Sequence, residues 1–148
     1  MDKQKKRTIF IEGAISPEFI ANSIAKHQSK TEIGGHNIFL GQVRADVKDK
    51  ATVSAIEFTA YEEMADEAAA AIREEAFAKF DLSCMHIYHS LGRIALGEIC
   101  IFVFVSAPHR GQVYEATEWL VNRIKTDVPI FGKERFDNGS SQWKKNRP

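Results

Sequence analysis

The sequence predicts an α+β fold, and three observations carry that reading. Apolar runs of strand length stand alone near the N-terminus, form an adjacent pair between residues 84 and 107, and return near the C-terminus beside a hairpin signal. Segments of helical spacing fall between them only loosely, so the regular alternation of a doubly wound sheet is missing. One run, "EICIFVFV" (98 to 105), is apolar at nearly every position, as expected of a central strand covered on both faces.

Taken in order, "RTIFIEG" (7 to 13) is a first strand. "SPEFIANSIAKHQ" (16 to 28) is a helix with Ser16 at the N-cap, Pro17 at the first helical position and Glu18 favouring the dipole. After a Gly-Gly break, "HNIFLGQVR" gives a strand ending near Arg44, and "ADVKDKAT" is expected to be a polar, mobile connection. "VSAIEFTAY" alternates Ile56, Phe58 and Ala60 with Glu57, Thr59 and Tyr61, the period of a half-buried strand. In residues 62 to 80, Met64, Ala68, Ala71, Ile72, Ala76 and Phe80 recur at helical spacing, with acids early. Residues 84 to 107 form two strands around Gly92 to Gly97. Val113, Ala116, Thr117, Leu120 and Ile124 mark a last long helix, closed by Lys125 on a different azimuth. "VPIF" is a short strand, and Asn138-Gly139 signals a hairpin.

A chain of 148 residues with 44% hydrophobic content suits one domain over 1 to 148, burying about 70% of the surface its unfolded form exposes. Twenty basic and twenty acidic side chains cancel. A polyanion-binding face, and with it a nucleic-acid partner, is therefore disfavoured, and any cationic site must be assembled locally by folding. No membrane span or signal segment is present in the sequence, which favours a cytoplasmic protein. Cys84 and Cys100 lack metal or disulfide spacing and are expected to be reduced core residues. No histidine or carboxylate set has metal spacing, so neither metal nor cofactor is expected. His36 and His89 read as hydrogen-bonded core histidines.

Several cations close apolar elements. His109 and Arg110 stand where "VSAP" ends and the last helix begins, beside unsatisfied first-turn amides suited to phosphate. Solvated first-turn residues are the plain alternative, although an arginine there opposes the helix dipole. Lys125 is explained either by the dipole at a helix C-terminus or by function. Lys133, after "VPIFG", and Arg44 each close an apolar strand, where partial desolvation would bring a lysine toward acid–base use. Glu134 either orients Lys133 or pairs with it. No Gly-rich phosphate loop and no serine elbow occurs, which suggests that any attacking group arrives from outside.

The ordered series "FLGQVR", "EFTAYEEMA", "HSLGRIALGE", "VSAPHR", "IKTDVPIFGKE" and Trp143 in "SSQW" resembles the large, catalytic subunit family of molybdopterin synthase, from about Gly13 to Trp143. The resemblance implies an α/β-hammerhead with a mixed sheet packed by helices and a C-terminal β-hairpin, in a homodimer. It further implies a heterotetramer with a small ubiquitin-like carrier whose C-terminal Gly-Gly bears a thiocarboxylate. Two sulfurs would pass from that carrier to cyclic pyranopterin monophosphate. By motif, Lys125 and Lys133 become catalytic, and Arg44, His109, Arg110 and Arg147 bind substrate, with Arg44 reaching toward a neighbouring subunit's pocket. Two departures stand out. Gly132 occupies the family's usual first lysine position, so Lys133 serves only if a bulge at Gly132 re-aims the strand, and Ser90 replaces an arginine in "HSLG". A non-catalytic module binding a phosphorylated metabolite or an acidic tail is the alternative, and it would dispense with Lys125 and Lys133. Thiol chemistry at Cys84 or Cys100 is disfavoured because no cationic neighbour is evident.

Overall fold

The structure, a computed structural model, describes residues 7 to 145. It is an α+β arrangement in which three helices pack on one mixed sheet of eight strands. The order of elements is β1 (Phe10–Glu12), α1 (Pro17–His27), β2 (Gly35–Gln42), β3 (Val47–Lys48), β4 (Ala51–Ala60), α2 (Glu62–Lys79), β5 (Cys84–Ala95), β6 (Ile99–Ala107), α3 (Arg110–Asp127), β7 (Ile130–Phe136) and β8 (Ser141–Trp143). Along the sheet the strands run β2, β6, β5, β4, β7, β8; β1 adds to β5 in parallel and β3 to β4.

As expected of its unbroken apolar run, β6 is interior and covered on both faces. Ile101, Val103 and Val105 enter the main core with residues of α2 and α3. Phe102 and Phe104 point the other way and meet Ile15 and Ile20 at α1. Successive strand side chains alternate faces, so one strand supplies both cores. β5 is shared. Cys84 to His89 pair with β6, whereas Gly92 to Ala95 pair with β4. Gly92 turns the strand at φ +88, a conformation that favours glycine.

Local signals behave as their chemistry requires. Ser16 caps α1 by accepting from the Phe19 amide at 3.1 Å. α3 buries Val113, Ala116, Thr117, Leu120 and Ile124. In α2 the buried stripe is Ala65, Ala69, Ile72 and Ala76, which leaves Met64 and Ala71 exposed. The sequence rule favoured the largest apolar residue, but close packing against α3 favours small ones. Residues 45 to 52 are not the loose connection expected. β3 and β4 form a hairpin through Asp49 and Lys50, both at positive φ, the conformation of a two-residue turn that follows sheet twist. At the C-terminus Gly139 N–H donates to Phe136 O, and Gly139 itself lies at φ +84. This is the three-residue hairpin with a glycine bulge rather than the two-residue form.

Candidate functional site

A hollow of about 750 Å³ lies where the C-terminal end of α3 meets β2, β4 and the β7–β8 hairpin. Its floor is apolar and includes Ile56, Phe58 and Ile101 with the backbone of Gly132. Leu40, Phe131 and Trp143 line it while remaining 40%, 40% and 59% exposed. Such a rim offers contact surface to an arriving chain.

Two lysines, Lys125 and Lys144, line the hollow together with Arg44. Lys125 sits in the last turn of α3. Burial, then the charge of Lys144, holds its ammonium below the ordinary lysine pKa. Arg44 donates from Nε and Nη2 to Asp46 at 2.6 and 3.2 Å, and its side chain is 83% exposed. It lines the rim of this chain's hollow and leaves most of its side chain open to solvent. The carboxylates lining the hollow each have a cation. Asp46 has Arg44, Asp127 accepts from Arg123 at 2.6 Å, and Glu134 accepts from Lys48 at 2.7 Å.

His109 and Arg110 stand at the opposite end of α3 from Lys125. Fifteen residues of helix separate Arg110 from Lys125 by about 22 Å, and neither residue of the N-terminal pair lines the hollow. The single chain thus does not gather all the expected cations. Lys133 is also outside. The β4–β7 register runs unbroken from Ile56↔Glu134 through Glu57↔Lys133 to Phe58↔Gly132, so no bulge re-aims the strand. Gly132 and Glu134 line the hollow and Lys133 does not; strand alternation sets it beside its cross-strand partner Trp143 at the rim, with Nζ 5.6 Å from the ring centre. Glu134 consequently serves Lys48, not Lys133. Arg147 lies outside the described residues.

His89 and Cys100 also line the hollow. Burial pushes the Cys100 thiol up, which makes it a poor nucleophile. His89 Nδ1–H donates to Ser90 O at 2.8 Å. Burial, opposed by that hydrogen bond and reinforced by Lys125 and Lys144, pushes the imidazole down to about 4. Its pKa in the folded chain lies below the unfolded one, so the unfolded chain takes up the proton first as pH falls. Stability present above about pH 6.5 is lost as pH drops toward 4, and a depression of this size represents on the order of 3 kcal/mol. His86, likewise pushed down to about 4 by burial and then by His27 and nearby cations, contributes in the same direction. Denaturant midpoints measured between pH 7 and pH 4.5 should therefore fall with acid, and less steeply in His89→Gln. An unchanged slope in that variant would remove His89 from the account.

Among the described residues, one group has metal-ligand geometry that the sequence reading missed. Ligand atoms of His27, Cys84 and His86 lie within 4.8 Å of one another. They are already joined by hydrogen bonds. His27 Nδ1–H donates to Ser23 O at 2.7 Å, its Nε2 lies 2.9 Å from His86 Nε2, and Lys30 Nζ donates to Cys84 Sγ at 2.8 Å. Lys30, Arg73 and Arg7 act on His86 as positive charges, which opposes a dication there. Lys30 is also the cationic neighbour of Cys84 that the sequence did not reveal, because 54 residues separate the two.

The sequence model of the MoaE protein family matches residues 14–127. The chain belongs to the MoaE family. A molybdopterin synthase catalytic subunit of Emericella nidulans is 34% identical over 122 residues, covering 82% of this chain and 62% of that relative. The chain thus spans less than two thirds of that relative's length. The crystal structure of molybdopterin synthase from Staphylococcus aureus superimposes with a TM-score of 0.80 at 27% identity, over 97% of this chain and 100% of the other. A complex of subunits 1 and 2 of the molybdopterin-converting factor from Helicobacter pylori 26695 has the same fold, with a TM-score of 0.77 at 20% identity over 93% and 90% of the two chains. Among the described residues of this MoaE-family chain, no helix is long and apolar enough to cross a membrane.

Proposed function

We propose that this MoaE-family chain is the catalytic subunit of a cytoplasmic molybdopterin synthase, transferring sulfur from a small carrier's thiocarboxylate terminus to cyclic pyranopterin monophosphate. The observation that carries the reading is Lys125, a lysine of lowered pKa lining a hollow whose apolar rim suits a narrow peptide end. Glycine residues at the carrier's end would let its backbone thread past Leu40, Phe131 and Trp143. In each transfer a carbon–sulfur bond forms to the pterin as a carbon–oxygen bond at the same carbon breaks, the oxygen leaving with the phosphate or, once protonated, as water. Water then breaks the acyl–sulfur bond, leaving a carboxylate on the carrier. Negative charge develops at the acyl group and a proton must leave the water. Lys125 serves both needs: as ammonium it stabilises the developing anion, and its lowered pKa makes it readier to exchange the proton than an ordinary lysine.

His109 and Arg110 enter this reading through a second copy of the chain. A helix of fixed length keeps them from their own Lys125, so in a homodimer they would complete the partner's hollow and hold the pterin phosphate beside Arg44. With two carriers the assembly is a heterotetramer. Complementation tests the arrangement. Lys125→Ala and Arg110→Ala chains, each inactive alone, are mixed at equal concentration after dissociation. A hollow built from both chains leaves one of two sites intact in each mixed dimer, so about a quarter of wild-type activity should return by simple pairing statistics. No recovery in verified mixed dimers would confine the site to one chain. Absence of product from wild-type protein with thiocarboxylated carrier and pterin would sink the functional assignment itself.

A further inference from the structure

We propose that Lys144 is the second substrate-facing amine of the hollow, standing over the space that Gly132 leaves and holding, with Lys125, the anionic end of the entering carrier chain. The inference rests on the sulfur-transfer reading above and names a residue that neither motif nor helix position had singled out.

Three geometric observations lead to it. The regular register from Ile56↔Glu134 to Phe58↔Gly132 keeps Lys133 out of the lining and puts Gly132, which has no side chain, on the hollow side. The Lys144 amide donates to Gly132 O at 2.8 Å, so the residue following β8 is pinned directly against that glycine. Its side chain then lines the same hollow as Lys125 and Arg44. A side chain at Gly132 would compete for that space. A Cβ there would already approach Ile56 Cγ2 at 3.1 Å and Phe58 Cε1 at 3.2 Å.

The charges around the hollow agree. Facing it are Arg44 and Asp46 after β2, His89 of β5, Cys100 of β6, Lys125 and Asp127 of α3, and Glu134 of β7. The three carboxylates are held by Arg44, Arg123 and Lys48. The positive charge of Lys144 is nevertheless felt at Lys125, His89, Cys100 and Asp46, groups on four different segments. An ammonium with that reach sits inside the bowl. Two amines lining one hollow divide the work by charge: the cation at Lys144 draws an anion and makes Lys125 easier to deprotonate.

The test uses full-length protein as wild type, Lys144→Ala, Lys144→Arg and Lys133→Ala, with thiocarboxylated carrier and pterin monophosphate. Lys144 is exposed, so its replacement leaves the core intact. Lys144→Ala should raise the KM for carrier at least tenfold and cut kcat/KM about a hundredfold. Lys144→Arg should recover most of the KM effect, and Lys133→Ala should stay near wild type. Independently of turnover, NMR titration of ¹³C-methylated lysines should show the Lys125 pKa rising in Lys144→Ala and staying low in Lys144→Arg. Wild-type kinetics in Lys144→Ala, or a Lys125 pKa unmoved by it, overturns the inference. If wild-type protein forms no product, the sulfur-transfer reading fails first. The NMR titration then still decides whether the two amines share one hollow.

Discussion

Lys125→Ala should lose synthase turnover by 10²-fold to 10⁴-fold, the range associated with removing a positioned acid–base group, while folding persists and carrier binding, still supported by Lys144, weakens far less than turnover. Its side chain lines the hollow at the end of α3, and desolvation there together with Lys144 holds its pKa down. The amine is thus readier to release a proton than a surface lysine would be. Lys125→Arg separates the two tasks assigned to it. Guanidinium keeps the positive charge but does not deprotonate near neutral pH, so this variant should bind carrier and still fail in turnover. Lys133→Ala is the internal control, expected within about threefold of wild type because its side chain does not line the hollow. Steady-state kinetics with saturating carrier checks all three. Full turnover in Lys125→Ala would remove the residue from the chemistry.

Gly34→Ala should be among the most destabilising single-methyl additions in the protein. An alanine Cβ at Gly34 would run into the carbonyl oxygen of Pro108, a backbone atom that a rotamer change does not clear. Gly34 N–H also donates to Ala107 O at 3.0 Å, so the two segments are tied at the point of collision. Relief requires moving residues 107 to 110, which enter α3 and carry His109 and Arg110. Overpacking of this kind costs about 1–3 kcal/mol and sometimes more. Gly35→Ala provides the contrast, since its Cβ would meet Arg110 Cα at an ordinary 3.7 Å. Urea denaturation should show a loss of at least about 2 kcal/mol for Gly34→Ala and under about 1 kcal/mol for Gly35→Ala. Equal stability of the two variants would mean that the 107 to 110 segment yields without cost.

The sequence carried much of the scaffold because the signals there are local. Ser16 and Pro17 announce the start of α1 by the chemistry of a cap, and four apolar residues of α3 with Thr117 fall on one face because 3.6 residues make a turn. The run from Ile99 to Val105 declared itself central by having no polar face to give to water. Where the sequence reading fell short, the missing information was relational. Met64 is a large apolar residue at helical spacing, yet it is exposed because α2 approaches α3 through alanines. The 45 to 52 segment reads as polar, and pairing across Asp49 and Lys50 nevertheless makes it a hairpin.

The sequence by itself determined an α+β scaffold, the family to which the chain belongs, and the lysine at the end of the last helix. Tertiary structure alone decided which cations meet. Strand parity turns Lys133 away while a hairpin returns Lys144 against Gly132, and the rigid length of α3 keeps Arg110 from Lys125. Local propensity is written in neighbouring residues, whereas the composition of a hollow depends on register and element length, and these are fixed only when distant segments pack.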